Sequence, residues 1–212
     1  WSVHSLSAGG FYKRREYSDF GTESVSHFGA NIDGRLDITG ATSIGAGASY
    51  SDLTEPRTSA GAANRSAEPI KYDTSSYYVS GSHQTGRTKV SGVASLGTYD
   101  YQDALLNNGT IADQDFRDQN ETSLEGRGAY AVTPDTAVFG RVRHVSQSYD
   151  SVVGGALNRD QDGITFDVGA DFDLSNLVRG EVGLGYFQRS FDNAAFSNAD
   201  GFSFDANVEW FP

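Results

Sequence analysis

The sequence has no cysteine, no apolar run of helix-spanning length, and only 16 Lys and Arg against 28 Asp and Glu. Without cysteine there is no disulfide framework, no thiolate zinc site and no thiol chemistry. Without an apolar stretch of about 18 residues there is no helical membrane span. A net charge of −12 would be repelled by a phosphate backbone, so nucleic acid is not an expected partner. Mean hydropathy is −0.46, which on its face describes a soluble chain. A membrane barrel gives the same average, because only every second residue of its strands meets lipid. The sequence opens at Trp1 without a basic-plus-apolar leader, so a processed protein or a piece of a longer one is expected.

What is present is alternation with a period of two. Between Ser26 and Ile38 the even positions are Ser26, Phe28, Ala30, Ile32, Gly34, Leu36 and Ile38, all uncharged. The intervening His27, Gly29, Asn31, Asp33, Arg35 and Asp37 include three charges. Ile164, Phe166, Val168, Ala170, Phe172 and Leu174 alternate in the same way with Thr165, Asp167, Gly169, Asp171 and Asp173. Phe202, Phe204, Ala206, Val208 and Trp210 alternate with Ser203, Asp205, Asn207 and Glu209. Successive side chains of a strand point to opposite faces, so each run has one apolar and one polar face. The rule predicts ten strands: 3–17, 24–38, 43–53, 72–84, 88–101, 121–132, 137–149, 163–174, 178–191 and 201–211.

The connections alternate too. Thr39-Gly40-Ala41-Thr42, Thr85-Gly86-Arg87, Thr133-Pro134-Asp135-Thr136 and Ser175-Asn176-Leu177 are tight turns, with Gly, Pro or Asn to make the corner. Segments 54–71, 102–120, 150–162 and 192–200 are longer and polar, and only 18–23 is short on that side. Short turns at one end and long loops at the other are the habit of outer-membrane barrels. Tyr17, Tyr50, Tyr72, Tyr99, Tyr101, Tyr149, Tyr186 and Phe202 fall near the loop ends, and Trp1, Tyr130, Phe172 and Trp210 near the turn ends. Two aromatic girdles at the membrane interfaces are therefore expected.

A soluble sandwich also alternates. Its strands average five or six residues, and its core needs bulky side chains. Here many runs reach about eleven residues, enough to cross a bilayer at a tilt. Their uncharged face includes Ala30, Gly34, Ala46, Ala48, Gly92, Ala94, Gly126, Gly128 and Gly140, which fluid lipid tolerates. The fold expected is all-β: an antiparallel up-and-down transmembrane barrel, one domain over 1–212. Its lipid-facing set is Phe28, Ile32, Leu36, Ile164, Phe166, Val168, Phe172, Val182, Leu184, Phe202, Phe204, Val208 and Trp210. Its lumen-facing charges are Asp33, Arg35, Asp37, Lys89, Glu125, Arg127, Arg141, Arg143, Asp167, Asp171, Arg179, Glu181, Arg189, Asp205 and Glu209. Arg14 is an exception on the apolar side, at a strand end from which its head can reach the headgroups.

Catalytic patterns are weak. His4, His27, His83 and His144 form no spaced metal pair. Ser146 and His144 share a strand face, as a membrane phospholipase would need, but the sequence shows no third group. No enzymatic activity and no cofactor are expected. Asn158, Asp160 and Asp162 follow the first half of a calcium loop, yet its twelfth position is Gly169 where Glu is required. An ordinary acidic loop competes with a weak calcium site, or with one that bridges to lipopolysaccharide phosphates.

Two stretches look familiar. Val182-Gly183-Leu184-Gly185-Tyr186-Phe187-Gln188-Arg189-Ser190-Phe191-Asp192, then Gly201-Phe202-Ser203-Phe204 and Val208-Glu209-Trp210-Phe211-Pro212, resemble the family called putative β-barrel porin 2. Tyr12-Lys13-Arg14-Arg15-Glu16-Tyr17 and the turn Thr133-Pro134-Asp135-Thr136 are similar to it as well. The resemblance implies an outer-membrane barrel of a Gram-negative bacterium, often encoded near exopolysaccharide functions, and brings no catalytic residues. In that family the Trp-x-Pro stretch is usually followed by further strands, so this chain is expected to be part of a larger barrel. The function expected is a passive channel for small hydrophilic solutes or saccharides, in contact with membrane lipid and lipopolysaccharide and compatible with oligomers. The competing reading is a barrel closed inside by salt bridges, whose loops 54–71 and 102–120 bind a partner or glycan.

Overall fold

The structure is a computed structural model that describes residues 4–59, 66–150, 157–174 and 177–211. The expectations for Trp1, Ser175, Asn176 and Pro212 lie outside those residues. Its strands are β1 (His4–Arg15), β2 (Val25–Thr39), β3 (Thr42–Thr54), β4 (Lys71–Thr85), β5 (Thr88–Tyr101), β6 (Ala104–Leu105), β7 (Ile111–Ala112), β8 (Gln119–Thr133), β9 (Thr136–Tyr149), β10 (Gln161–Leu174), β11 (Val178–Phe191) and β12 (Ala199–Trp210). Ten of them form one antiparallel sheet in the order β1-β2-β3-β4-β5-β8-β9-β10-β11-β12, while β6 and β7 make a small hairpin inside the loop after β5. Each sheet strand therefore pairs with the next sheet strand in sequence, across tight turns and long loops alike. Strand β1 does not pair with β12, so the sheet is open.

The strands are long because alternation persists without a breaker. Strands β2, β4 and β8 each run 15 residues, where a tilted crossing needs about 9–11. The tight turn between β4 and β5 places Gly86 at φ +57°, the left-handed region that glycine enters without a Cβ penalty.

The register separates the two faces. Val142, Phe166, Tyr186 and Phe202 stand in one row across β9–β12, as do Gly140, Val168, Leu184 and Phe204. This apolar face is uncovered: Phe202 is 90% exposed, Val168 66% and Leu184 64%. A sandwich would bury those side chains against a second layer; among the described residues none exists.

The opposite face is concave. Arg141 of β9 contacts Asp205 of β12 at 2.8 Å, although those strands lie three steps apart in the sheet. In a flat sheet their backbones would be about 14 Å apart at roughly 4.8 Å per step, beyond what upright side chains span. Curvature brings them together.

The loops beyond the upper strand ends form a fastened layer, which the sequence did not suggest. Arg57, after β3, grips Glu23 of the first loop at 2.5 Å. Arg117, before β8, holds Glu55 of the second loop through two hydrogen bonds, at 2.7 and 2.9 Å. Arg159, before β10, donates to the carbonyl of Phe116 in the third loop at 2.9 Å. Each of these three loops thus ties down the loop before it. Burial works to raise the Glu55 carboxyl, but hydrogen bonds from Arg117 and Ser59 outweigh it and hold the pKa below the ordinary carboxylate value.

Candidate functional site

The ionic side chains gather on the concave face of β8–β12. Register sets Arg127 directly opposite Arg141, and Asp171 directly opposite Glu181. Like charges opposite one another are unfavourable, and here each pair neutralises the other. Arg127 contacts Asp171 at 2.7 Å and Glu181 at 3.1 Å. Arg141 contacts Asp167 and Glu181 at 3.0 Å and Asp205 at 2.8 Å. Two guanidiniums face four carboxylates, so the cluster keeps a surplus of negative charge.

Phe139 lies among these charges, on the face where periodicity predicts polar residues. Its ring is 5% exposed, with the Arg127 guanidinium 4.1 Å and that of Arg141 5.6 Å from the ring centre. A cation over an aromatic face is attracted by the ring quadrupole, so the ring spaces and orients both arginines. Gly169 stands directly opposite Phe139; a Cβ there would come within 2.6 Å of the ring and 2.2 Å of the Val182 carbonyl oxygen. The ring lies flat because its partner has no side chain. Phe11 over Gly29 and Tyr78 over Gly47 repeat the arrangement in directly opposed pairs.

The other expected lumen charges share the same face. Arg143 pairs with Glu125 at 2.5 Å, Arg179 with Glu209 at 2.6 Å and Arg35 with Asp37 at 2.8 Å. Asp33 accepts hydrogen bonds from the Tyr78 hydroxyl at 2.9 Å and the Asn31 amide at 3.1 Å. Lys89 and Arg189 make no ion pair among the described residues.

Two expectations change. The upper aromatic girdle is smaller than predicted: Tyr72, Tyr99, Tyr101 and Tyr149 alternate onto the concave face. There Tyr72 stacks on Tyr101 with ring centres 5.0 Å apart, and Arg117 and Arg159 lie over Tyr101 and Tyr149 at 3.9 and 4.1 Å. The calcium-like loop also does not converge. Asp160 accepts the Tyr149 backbone N–H at 2.7 Å and the Asn158 amide at 2.9 Å, and Asn158 accepts the Asp160 N–H at 2.9 Å. Asp162 turns to the convex face, 3.5 Å from His144 Nε2. These oxygens close a loop instead of surrounding an ion. The three carboxylates that do converge among the described residues are Asp103, Asp113 and Asp115, all exposed.

Asp162 is also the third group missing from the His144 and Ser146 pattern, directly opposite Ser146. The structure shows no hydrogen bond between Ser146 and His144, so nothing aligns the hydroxyl for attack.

A repeated motif escaped periodicity. Arg117-Asp118-Gln119 and Arg159-Asp160-Gln161 each enter a strand in the same way. The arginine covers the tyrosine that ends the preceding strand, and the aspartate accepts that tyrosine's backbone N–H, at 2.6 Å for Tyr101 and 2.7 Å for Tyr149. The glutamine joins a ladder of Gln119, Gln147 and Gln161. The repeated tripeptide is the signal that could have revealed it.

Comparison with known proteins agrees with this geometry. OmpT of Vibrio cholerae, folded in vitro and described as an outer membrane protein, superposes with a TM-score of 0.63 at 14% identity, over 99% of this chain and 61% of that one. The same protein expressed in the outer membrane gives 0.57 at 13% identity, over 95% of this chain and 61% of that one. This chain therefore spans about 61% of the length of those barrels, and at such identity they show the fold alone. No curated protein matches by sequence. The family model for putative beta-barrel porin 2 matches residues 1–212. An all-β antiparallel meander, outer-membrane barrel neighbours and that match give a protein of the Gram-negative outer membrane: the chain belongs to the putative beta-barrel porin 2 family.

Proposed function

We propose that this chain builds the wall of a passive outer-membrane channel for small hydrophilic solutes or saccharides. One observation carries the reading: the concave face gathers the ionic and hydroxyl side chains, while the convex face exposes Phe166, Val168, Leu184, Phe202 and Phe204. In a membrane the convex face meets lipid, with lipopolysaccharide at its upper rim, and the concave face borders water. The carboxylate surplus around Arg127 and Arg141 favours cations and neutral solutes over anions. A link with exopolysaccharide export belongs to the same reading and rests on the family resemblance. No catalytic step is assigned, since His144 and Asp162 lack an aligned nucleophile. Planar-bilayer recording of the folded protein tests the proposal: stepwise, cation-preferring conductance is expected, and a folded protein that conducts nothing would overturn it.

The fastened loop layer favours a second reading, a closed barrel whose loops bind a partner or glycan. Deletion of 102–118 that abolishes surface binding, with conductance absent throughout, would select it.

A further inference from the structure

The concave face has two unlike walls. Charges crowd β8–β12, but the concave positions of β3 and β4 carry none, and those of β5 carry only Lys89 beside the turn. Below the rim, where Tyr72, Tyr99 and Tyr101 stand, this wall offers in place of charge a set of hydroxyls around the ring of Tyr78. Tyr78 faces Gly47 on one side and Ser95 on the other. A Cβ at Gly47 would come within 2.4 Å of the Tyr78 ring, so the ring lies flat across β3. Its hydroxyl is anchored on Asp33 at 2.9 Å. Ser76 and Ser80 flank it on its own strand, and Ser49 is paired with Ser76. The hydroxyls of Ser49, Ser76, Ser80 and Ser95 hydrogen-bond no protein group among the described residues.

We infer that Tyr78 and these serines form a binding platform for neutral saccharides. The inference deepens the channel reading and rests on its premise that the concave face is wet. A pyranose presents a face of C–H groups and a rim of hydroxyls. The flat ring offers a negative π-face to the former, and the serine hydroxyls donate to and accept from the latter. Phe139 cannot do the same, because Arg127 covers it. A cation is the weaker match for Tyr78, because the two oxygens of the nearest carboxylate are engaged, Oδ1 by Tyr78 and Oδ2 by Asn31. An anionic sugar finds no basic group on β3 or β4 at concave positions.

The test uses the full chain folded in lipid nanodiscs, with maltotriose as probe and triethylene glycol and choline as comparisons. Saturation-transfer NMR should show maltotriose bound through its ring C–H protons, with both comparisons weaker. Tyr78→Ala should weaken maltotriose about fivefold, and Tyr78→Phe should retain it. If Tyr78→Ala fails to fold, as judged by heat-modifiable gel mobility, Ser95→Leu, which blocks the flank of the ring, should give a similar loss. Equal saturation of triethylene glycol, tighter binding of choline, or maltotriose affinity unchanged in a folded variant would overturn the platform. Conductance without maltotriose binding removes this inference alone. Maltotriose binding without conductance removes the channel and leaves the platform.

Discussion

Arg127 and Arg141 stand directly opposite each other on neighbouring strands, an arrangement of like charges that holds only because Asp167, Asp171, Glu181 and Asp205 converge on them from three further strands. The curvature of the sheet and its charge pattern are therefore one property. Bending the sheet brings the carboxylates within reach, and the contacts hold the bend.

Arg141→Ala should destabilise the fold by about 3 kcal/mol, because it leaves partly buried carboxylates without a partner. Urea unfolding in detergent, followed by tyrosine and tryptophan fluorescence, measures this. An unchanged midpoint would mean that the cluster contributes nothing to curvature.

Gly169→Ala and Gly140→Ala should differ sharply. The first forces a methyl against Phe139 and the Val182 carbonyl, while the second meets nothing within 4 Å. Overpacking costs typically 1–3 kcal/mol, so Gly169→Ala should lower the thermal midpoint and Gly140→Ala should leave it. Equal effects would show that Phe139 does not lie flat over Gly169.

Acid should loosen the loop layer. Hydrogen bonds from Arg57 hold the Glu23 carboxyl below its ordinary value of 4.5, and Glu55 is held below the same value once Arg117 and Ser59 outweigh its burial. A lowered folded pKa means stability present above the ordinary value and lost as pH falls through the folded one. Asp115 works in the opposite sense, raised chiefly by Asp113, so its protonation relieves repulsion in the same loop. The protection factor for hydrogen exchange across 102–118, taken against the intrinsic rate at each pH, should fall as pH drops below 4.5, and Arg117→Ala should lower it already at neutral pH. Protection that does not change with pH would remove the clasp.

Much of the sheet was legible because alternation over a dozen residues has no competing helical reading. Predicted strand ends differ from the observed ones by at most two residues, and β5 and β11 coincide at both ends. Neighbour order was legible at the tight turns, such as Thr85-Gly86-Arg87 between β4 and β5, which leave a strand no alternative to its sequence neighbour. The loop layer was not. Arg117 meets Glu55 across 62 positions of sequence, and nothing local to either residue names the other. Phe139 misleads a binary reading for a different reason: its environment is set by Gly169 and Arg127 on the two neighbouring strands and by Arg141 on its own. Tyr101 and Tyr149 misled it too, since their position near strand ends suggested an interface while their parity assigned them to the concave face.

On the channel reading the convex face touches hydrocarbon and the concave face touches water. The absence of native cysteine allows single labels at Val168, 66% exposed on the convex side, and at Thr165, at a concave position of the same strand. Spin labels at both, in reconstituted bilayers, report collisions with lipid-soluble oxygen and with a water-soluble nickel chelate. On that reading oxygen contact without nickel is expected at 168, and nickel contact at 165. Nickel access at 168 with oxygen contact at 165, or shielding of 168 from both, would contradict it.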